Sequence, residues 1–138
     1  MLFFHKITLT TLFCILASQF FSQQKKADKL YEKEQYFRAI SKYKKAIKTK
    51  DVLKKQTSLL KLADCYKVLG QYKESEACYK QAISLGKVAP EVYYNYGNVL
   101  KSTNNYSEAL SNYMAYLEEK PQDKKALNAL KSCQEIKY

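Results

Sequence analysis

A chain of 138 residues with 46% hydrophobic content, three Gly and two Pro supports one compact domain and excludes a second. The formal net charge is +11 and is unevenly spread: Gln23–Lys61 holds thirteen Lys or Arg against four acids, whereas Leu62–Tyr138 holds ten against nine. The only histidine is His5, which excludes Ser–His and Cys–His nucleophile systems and a His-containing zinc site from everything that follows it.

Residues 1–22 read as an export segment. A short start with His5 and Lys6 precedes an apolar stretch from Ile7 to Phe21, then the polar Gln23-Gln24-Lys25-Lys26. The apolar run falls short of the roughly 20 residues a bilayer span needs, so no transmembrane span is expected after cleavage. Cleavage is expected near Ser22–Gln23, with the bulky Phe20 an unusual residue at the −3 position. Phe13 before Cys14 is too large for a lipoprotein signal.

The remainder, residues 23–138, reads as helices throughout. Gln24–Glu34 and Tyr36–Lys48 form a first pair, the second of them burying Ala39, Ile40, Tyr43, Ala46 and Ile47. A helix beginning near Asp51 runs to Leu69, where Gly70 suits the left-handed conformation that ends it. Tyr72–Leu85 follows and Gly86 closes it. Pro90 opens the next helix, where a missing N–H costs little. The turn Thr103-Asn104-Asn105 leads into Tyr106–Glu119, and Asp123 caps a last helix reaching about Ile136. That helix is expected to present Ala126, Leu127, Leu130 and Ile136 on its inner side.

These helices repeat. Tyr93-x2-Tyr96-Gly97-x2-Leu100 is followed by Ala109-x3-Tyr113 and Pro121. The small residues Ala27, Ala63 and Gly97, and the aromatics Tyr43, Tyr79 and Tyr113, recur at spacings of 36 and 34 residues. Large residues at i, i+3 and i+7 make one apolar stripe, and a small residue lets the partner helix approach. The pattern resembles the tetratricopeptide repeat (TPR). The resemblance implies an all-α, right-handed α-solenoid of three helix–turn–helix repeats, at about 24–50, 55–88 and 90–121, with a capping helix at about 122–136. Such a stack needs a cap, because its terminal unit has no neighbour to cover its apolar face.

The resemblance also implies a concave groove lined by the first helix of each repeat. Carried over by position, its lining is Asp28 and Tyr31, then Leu60, Asp64 and Lys67, then Tyr94, Asn98 and Lys101. This mixture of aromatic anchors and polar groups suits an extended segment or helix of another protein. Chaperone-binding TPR domains hold a terminal carboxylate at positions that here read Gln24, Asp28, Lys61, Glu91 and Asn95. The two acids in that set argue against such a partner. The phrases Ala27-Asp28-Lys29-Leu30-Tyr31, Leu62-Ala63-Asp64-Cys65-Tyr66 and Pro90-Glu91-Val92-Tyr93-Tyr94 resemble the N-terminal TPR region of periplasmic proteins with β-propeller and OmpA-type domains, some linked to type IX secretion. That likeness implies an exported scaffold of the periplasm or cell envelope, with envelope or secretion machinery as partner.

No catalytic residue, cofactor or metal site is expected, since no glycine-rich phosphate loop exists and Glu74/Glu76 and Glu118-Glu119 read as solvated charges. No specific nucleic-acid partner is expected either. Of Cys65, Cys78 and Cys133, the first two could pair in an oxidising compartment, but three free and mostly buried thiols are favoured. Asn105-Tyr106-Ser107 matches a glycosylation acceptor that matters only in a eukaryotic secretory pathway. An alternative function follows from charge: the basic first repeat, with Lys42, Lys44 and Lys45, docks on an anionic surface such as lipid headgroups or another polyanion.

Overall fold

The computed structural model describes the backbone of residues 2–137 and the side chains of residues 11–136 apart from Phe13. Met1, Tyr138 and the side chains of His5, Lys6 and Phe13, on which the reading of the export segment rests in part, lie outside the described residues. Seven helices follow one another among these residues: α1 (Leu2–Glu32), α2 (Tyr36–Ala46), α3 (Val52–Val68), α4 (Tyr72–Ser84), α5 (Pro90–Ser102), α6 (Tyr106–Glu119) and α7 (Lys124–Lys137). Each helix packs on the next, and α1 also touches α3 as α5 touches α7, so the odd-numbered helices form one layer of the stack and the even-numbered ones the other.

One local device builds all three hairpins. Glu34, Gly70 and Asn104 adopt positive φ of 55°, 72° and 62°. The following amide then donates back five residues, Gln35 to Leu30, Gln71 to Tyr66 and Asn105 to Leu100, at 2.9, 2.9 and 2.8 Å. This is the Schellman closure, which satisfies carbonyls the helix end would leave bare. Gly70 was expected in this role, and Asn104 tolerates it. Glu34 carries a side chain in a region that costs an L-residue about 1–2 kcal/mol. Glu34→Gly is therefore expected to stabilise the chain by about 0.5–1 kcal/mol after glycine's entropy is counted. Gly70→Ala should cost about 1 kcal/mol by φ alone, since an added Cβ there meets nothing within 4 Å. Urea denaturation of the two variants checks both signs.

The helix ends follow the sequence closely, with one difference. The Asp51 carboxylate accepts the Lys54 amide at 3.0 Å and starts α3, and Asp123 accepts the amides of Lys125 and Ala126 at 2.8 and 3.2 Å to start α7. In the uncleaved chain the first helix runs unbroken from Leu2 through Gln24, where the helix is expected to start after cleavage, because no Gly or Pro lies between Met1 and Ser22 to stop it. The buried core nevertheless begins only at Ala27 among the described residues.

Two clusters make that core. Ala27, Ala39, Ile40, Tyr43, Leu62, Cys65 and Tyr66 fill the space between the first and second repeats. Ala63, Tyr79, Tyr96, Val99, Leu100, Ala109, Tyr113 and Cys133 fill it from the second repeat to α7. Half-buried Cys78 packs against both. The inward stripe of α7 differs from expectation: it is Ala126, Ala129, Leu130 and Cys133, whereas Leu127 and Ile136 are exposed. Residues at i, i+3, i+4 and i+7 share a face, and Leu127 sits one helical step of about 100° away from Ala126.

Candidate functional site

Each repeat contains the same polar pair. The second-helix tyrosine lies fully buried against the small residue of the first helix, and its hydroxyl donates to the side chain one residue further on. Tyr43 reaches Asp28 Oδ1 at 2.6 Å, Tyr79 reaches Asp64 Oδ1 at 2.5 Å, and Tyr113 reaches Asn98 Oδ1 at 2.9 Å, always fifteen residues apart. Three of the eight groove residues expected from sequence thus serve the repeat itself with one oxygen. No signal in the sequence shows this sharing, although the recurrence of Asp28, Asp64 and Asn98 after a small residue is visible once the tyrosine partners are known.

Of the remaining groove residues, Tyr31, Lys67 and Lys101 link one repeat to the next helix pair or to α7, whereas Tyr94 packs within its own repeat. The Lys61 ammonium of α3 lies 4.3 Å from the centre of the Tyr31 ring of α1. Lys67 of α3 pairs with Asp64 at 3.1 Å and donates to Asn95 Oδ1 of α5 at 3.0 Å. Lys101 of α5 donates to Ser132 Oγ of α7 at 2.6 Å. Tyr94 stacks at 5.9 Å from Tyr113 and 5.2 Å from Tyr116, and is half-buried by them. Leu60 is half-buried against the second core cluster. Asp28, Tyr31, Asp64, Lys67, Tyr94, Asn98 and Lys101 are all half-buried along the odd-numbered helices, in the layer where the groove was expected. Ser132 was not anticipated, because it comes from the capping helix 31 residues after Lys101.

The two acids at the carboxylate-binding positions are both engaged. Asp28 holds the Tyr43 hydroxyl, and Glu91 pairs with Lys120 across α5 and the end of α6. The basic residues named from sequence do not form one cluster. Lys42 lines a depression with Lys29, Lys33 and Arg38, and Lys45 lines a neighbouring one with Lys26 and Lys48. Lys44 instead points at the Tyr66 ring of α3, 5.8 Å from its centre. Residues two apart on a helix face nearly opposite ways, so Lys44 cannot share a surface with Lys42.

Burial sets the ionisation of the site. It pushes the Tyr31 hydroxyl up to about 12, with the Asp64 charge adding to the effect. Tyr43 and Tyr79 are raised further, first by burial and then by the carboxylates that accept their protons' hydrogen bonds. Burial also raises the Cys65 thiol to about 12 and Cys78 to about 11. All four cysteines are free thiols, with Cys65 and Cys133 buried and Cys14 exposed. Raised pKa values mean that the folded state keeps protons which the unfolded chain releases at about pH 8.5–10. Stability is therefore complete below about pH 8.5 and is lost progressively as pH rises from there toward 12. Thermal denaturation between pH 8 and 12 should show a falling midpoint, and a flat profile would contradict the burial of these groups.

Comparisons with known proteins agree with this geometry. Residues 57–85 and 90–123 each match the family model described as tetratricopeptide repeat. Among curated proteins no sequence match is found. Several solved structures are similar. The first TPR domain of Spaghetti (RPAP3) bound to the HSP90 peptide SRMEEVD is 20% identical, with 86% of this chain and 93% of that one covered and a TM-score of 0.75. The Arabidopsis OM64 TPR domain is 23% identical, with 85% and 95% covered and a TM-score of 0.72. The Yersinia enterocolitica type III secretion chaperone SycD in complex with a peptide of the translocator YopD is 16% identical, with 88% and 96% covered and a TM-score of 0.73. Residues 57–85 and 90–123 are thus tetratricopeptide repeats, and the chain as a whole has the all-α tetratricopeptide-repeat fold.

Proposed function

We propose that this chain is a non-catalytic adaptor of the periplasm or cell envelope that holds a segment of another protein in the groove of its odd-numbered helices. The observation that carries the reading is the row of half-buried polar and aromatic side chains from Tyr31 through Asp64, Lys67 and Asn95 to Asn98 and Lys101, which continues across every junction between repeats. Such a row offers apolar footing from Tyr31 and Tyr94 with fixed hydrogen-bonding groups between them, as a bound peptide requires. Solved neighbours of the same fold are bound to peptides of HSP90 and of YopD, which supports the use of this fold for segment recognition.

The partner's chemistry differs from that of a terminal carboxylate. Glu91 and Asp28 occupy two of the five positions that would grip one, and the free lone pairs of Asp28 and Asp64 favour donors on the bound segment. Residues 1–22 direct export, and the partner belongs to the envelope or secretion machinery.

The test is chemical crosslinking in envelope extract with wild-type chain and with Lys67→Ala/Asn95→Ala, two half-buried positions outside the core. One protein crosslinked to the odd-numbered helices of the wild type, and lost from the double variant, is the expected result. Equal crosslinking of both chains would remove the groove from the reading. Recovery of the whole chain in the cytoplasmic fraction would remove the location.

A further inference from the structure

Where the export segment meets the first repeat, one side chain is left without a partner. Among the described residues, two buried side-chain polar atoms make no hydrogen bond, Gln23 Oε1 and Ser58 Oγ. Ser58 is 1% exposed within α3, closed off from any reagent. Gln23 is half-buried, and it lines an open depression with Gln19, Phe20, Ser22, Lys26, Lys45 and Lys48. Three of these neighbours carry ammonium groups and none carries a carboxylate.

Cleavage between Ser22 and Gln23 changes this residue at both ends. It takes Gln19, Phe20 and Ser22 out of the depression, which leaves Gln23 among Lys26, Lys45 and Lys48. It also turns the Gln23 backbone nitrogen into a free amine, placed so that attack on the residue's own carboxamide carbon closes a five-membered ring.

The surroundings favour that closure. An ammonium on the first turn of α1 meets the positive end of the helix and the three lysines, all of which favour its neutral, nucleophilic form. The same cations stabilise the negative charge that builds on Oε1 during attack, and no hydrogen bond holds that oxygen elsewhere. A first-turn N–H has no partner within its helix, so the ring breaks no helical hydrogen bond. Ala27, one turn further on, is fully buried and anchors this end of the mature chain.

We propose that Gln23, once it is the first residue, closes to pyroglutamate in this lysine-lined depression. The amine nitrogen bonds to Cδ, the bond from Cδ to Nε2 breaks, and ammonia leaves with the proton that the amine gives up. No oxidant or co-reactant is needed. The product is a neutral end that aminopeptidases do not attack and that the helix terminus does not repel. This goes beyond the adaptor reading, and it rests on the reading of residues 1–22 as a segment removed on export.

The experiment is mass spectrometry, on the intact protein and on its N-terminal peptide, of the exported chain recovered at intervals after a pulse of synthesis. The expected species begins at Gln23 and is about 17 Da lighter than its sequence, the mass of the ammonia lost. Gln23→Asn, whose ring would be four-membered, is expected at full mass. Lys45→Gln/Lys48→Gln, two exposed positions, is expected to close several-fold more slowly. A chain that begins at Gln23 with a lasting free amine overturns the proposal and leaves the export reading standing. A chain that begins at another residue overturns it through the cleavage site, and one that retains residues 1–22 overturns the export reading with it. Equal rates of closure in wild type and lysine variant would remove the depression from the chemistry and overturn it as well.

Discussion

Tyr79→Ala is expected to cost about 3–5 kcal/mol, the usual range for removing a buried aromatic ring, and so to remove a large part of the stability of a small domain, which is typically about 5–15 kcal/mol. Tyr79 is 1% exposed and sits in the middle repeat. Its ring packs with Ala63 and Tyr96 in the second core cluster, 5.8 Å from the Tyr96 ring. Its hydroxyl holds Asp64, which in turn holds Lys67 and through it Asn95 of α5. Truncation therefore opens a cavity and loosens the polar row at one stroke. Tyr79→Phe separates the two effects: it keeps the ring and removes only the hydrogen bond to the Asp64 carboxylate, for about 1.5–3 kcal/mol. Urea denaturation of both variants should rank Ala well below Phe, and Phe below wild type. A Phe variant as stable as the wild type would show that the Tyr79–Asp64 bond contributes nothing net.

Gly97→Ala is expected to lower stability by about 2 kcal/mol, although alanine is the better helix former by about 1 kcal/mol. An added Cβ would lie 2.7 Å from Tyr113 Cε1 and 2.9 Å from its Cδ1. The ring cannot simply swing aside, because Tyr113 is fully buried, stacked near Tyr94 and tied by its hydroxyl to Asn98. The helices α5 and α6 must then separate, which loosens the packing of Val99, Leu100 and Ala109 between them. The double variant Gly97→Ala/Tyr113→Leu should lose less than the sum of its two single changes, since the shorter side chain removes the clash. Strict additivity would show that the ring relaxes freely.

Much of this organisation was legible in the chain. Helix α6 spans Tyr106–Glu119 as expected, Pro90 opens α5, α3 begins beside Asp51 where a start was expected, and Asp123 caps α7. Gly70 takes the left-handed turn. The close approach at Gly97 follows from the repeat register, where the equivalent residues Ala27 and Ala63 are also small. These features depend on a few neighbouring residues, through helical periodicity, the φ a turn requires and the donors a helix start leaves open. The hidden features were of another kind. The true inner stripe of α7 includes Cys133 and Ala129, which composition ranks below Leu127 and Ile136. The splitting of Lys44 from Lys42 and Lys45 follows from helical spacing, yet which side meets Tyr66 depends on where α3 lies.

By itself, then, the sequence determined the repeat, its turns, its small-for-large packing positions and the concentration of cations before Lys61. All of these rest on contacts within about four residues or on a spacing copied from one repeat to the next. Only the tertiary structure decided how the groove's polar groups are used. It joined Asp28 to Tyr43, Lys67 to Asn95, Glu91 to Lys120 and Lys101 to Ser132, and it set Lys26, Lys29, Lys33, Arg38 and Lys42 along one seam. The physical reason is that each of these arrangements joins side chains on different helices. Their meeting depends on the angle and distance at which helices pack, and a linear pattern carries neither.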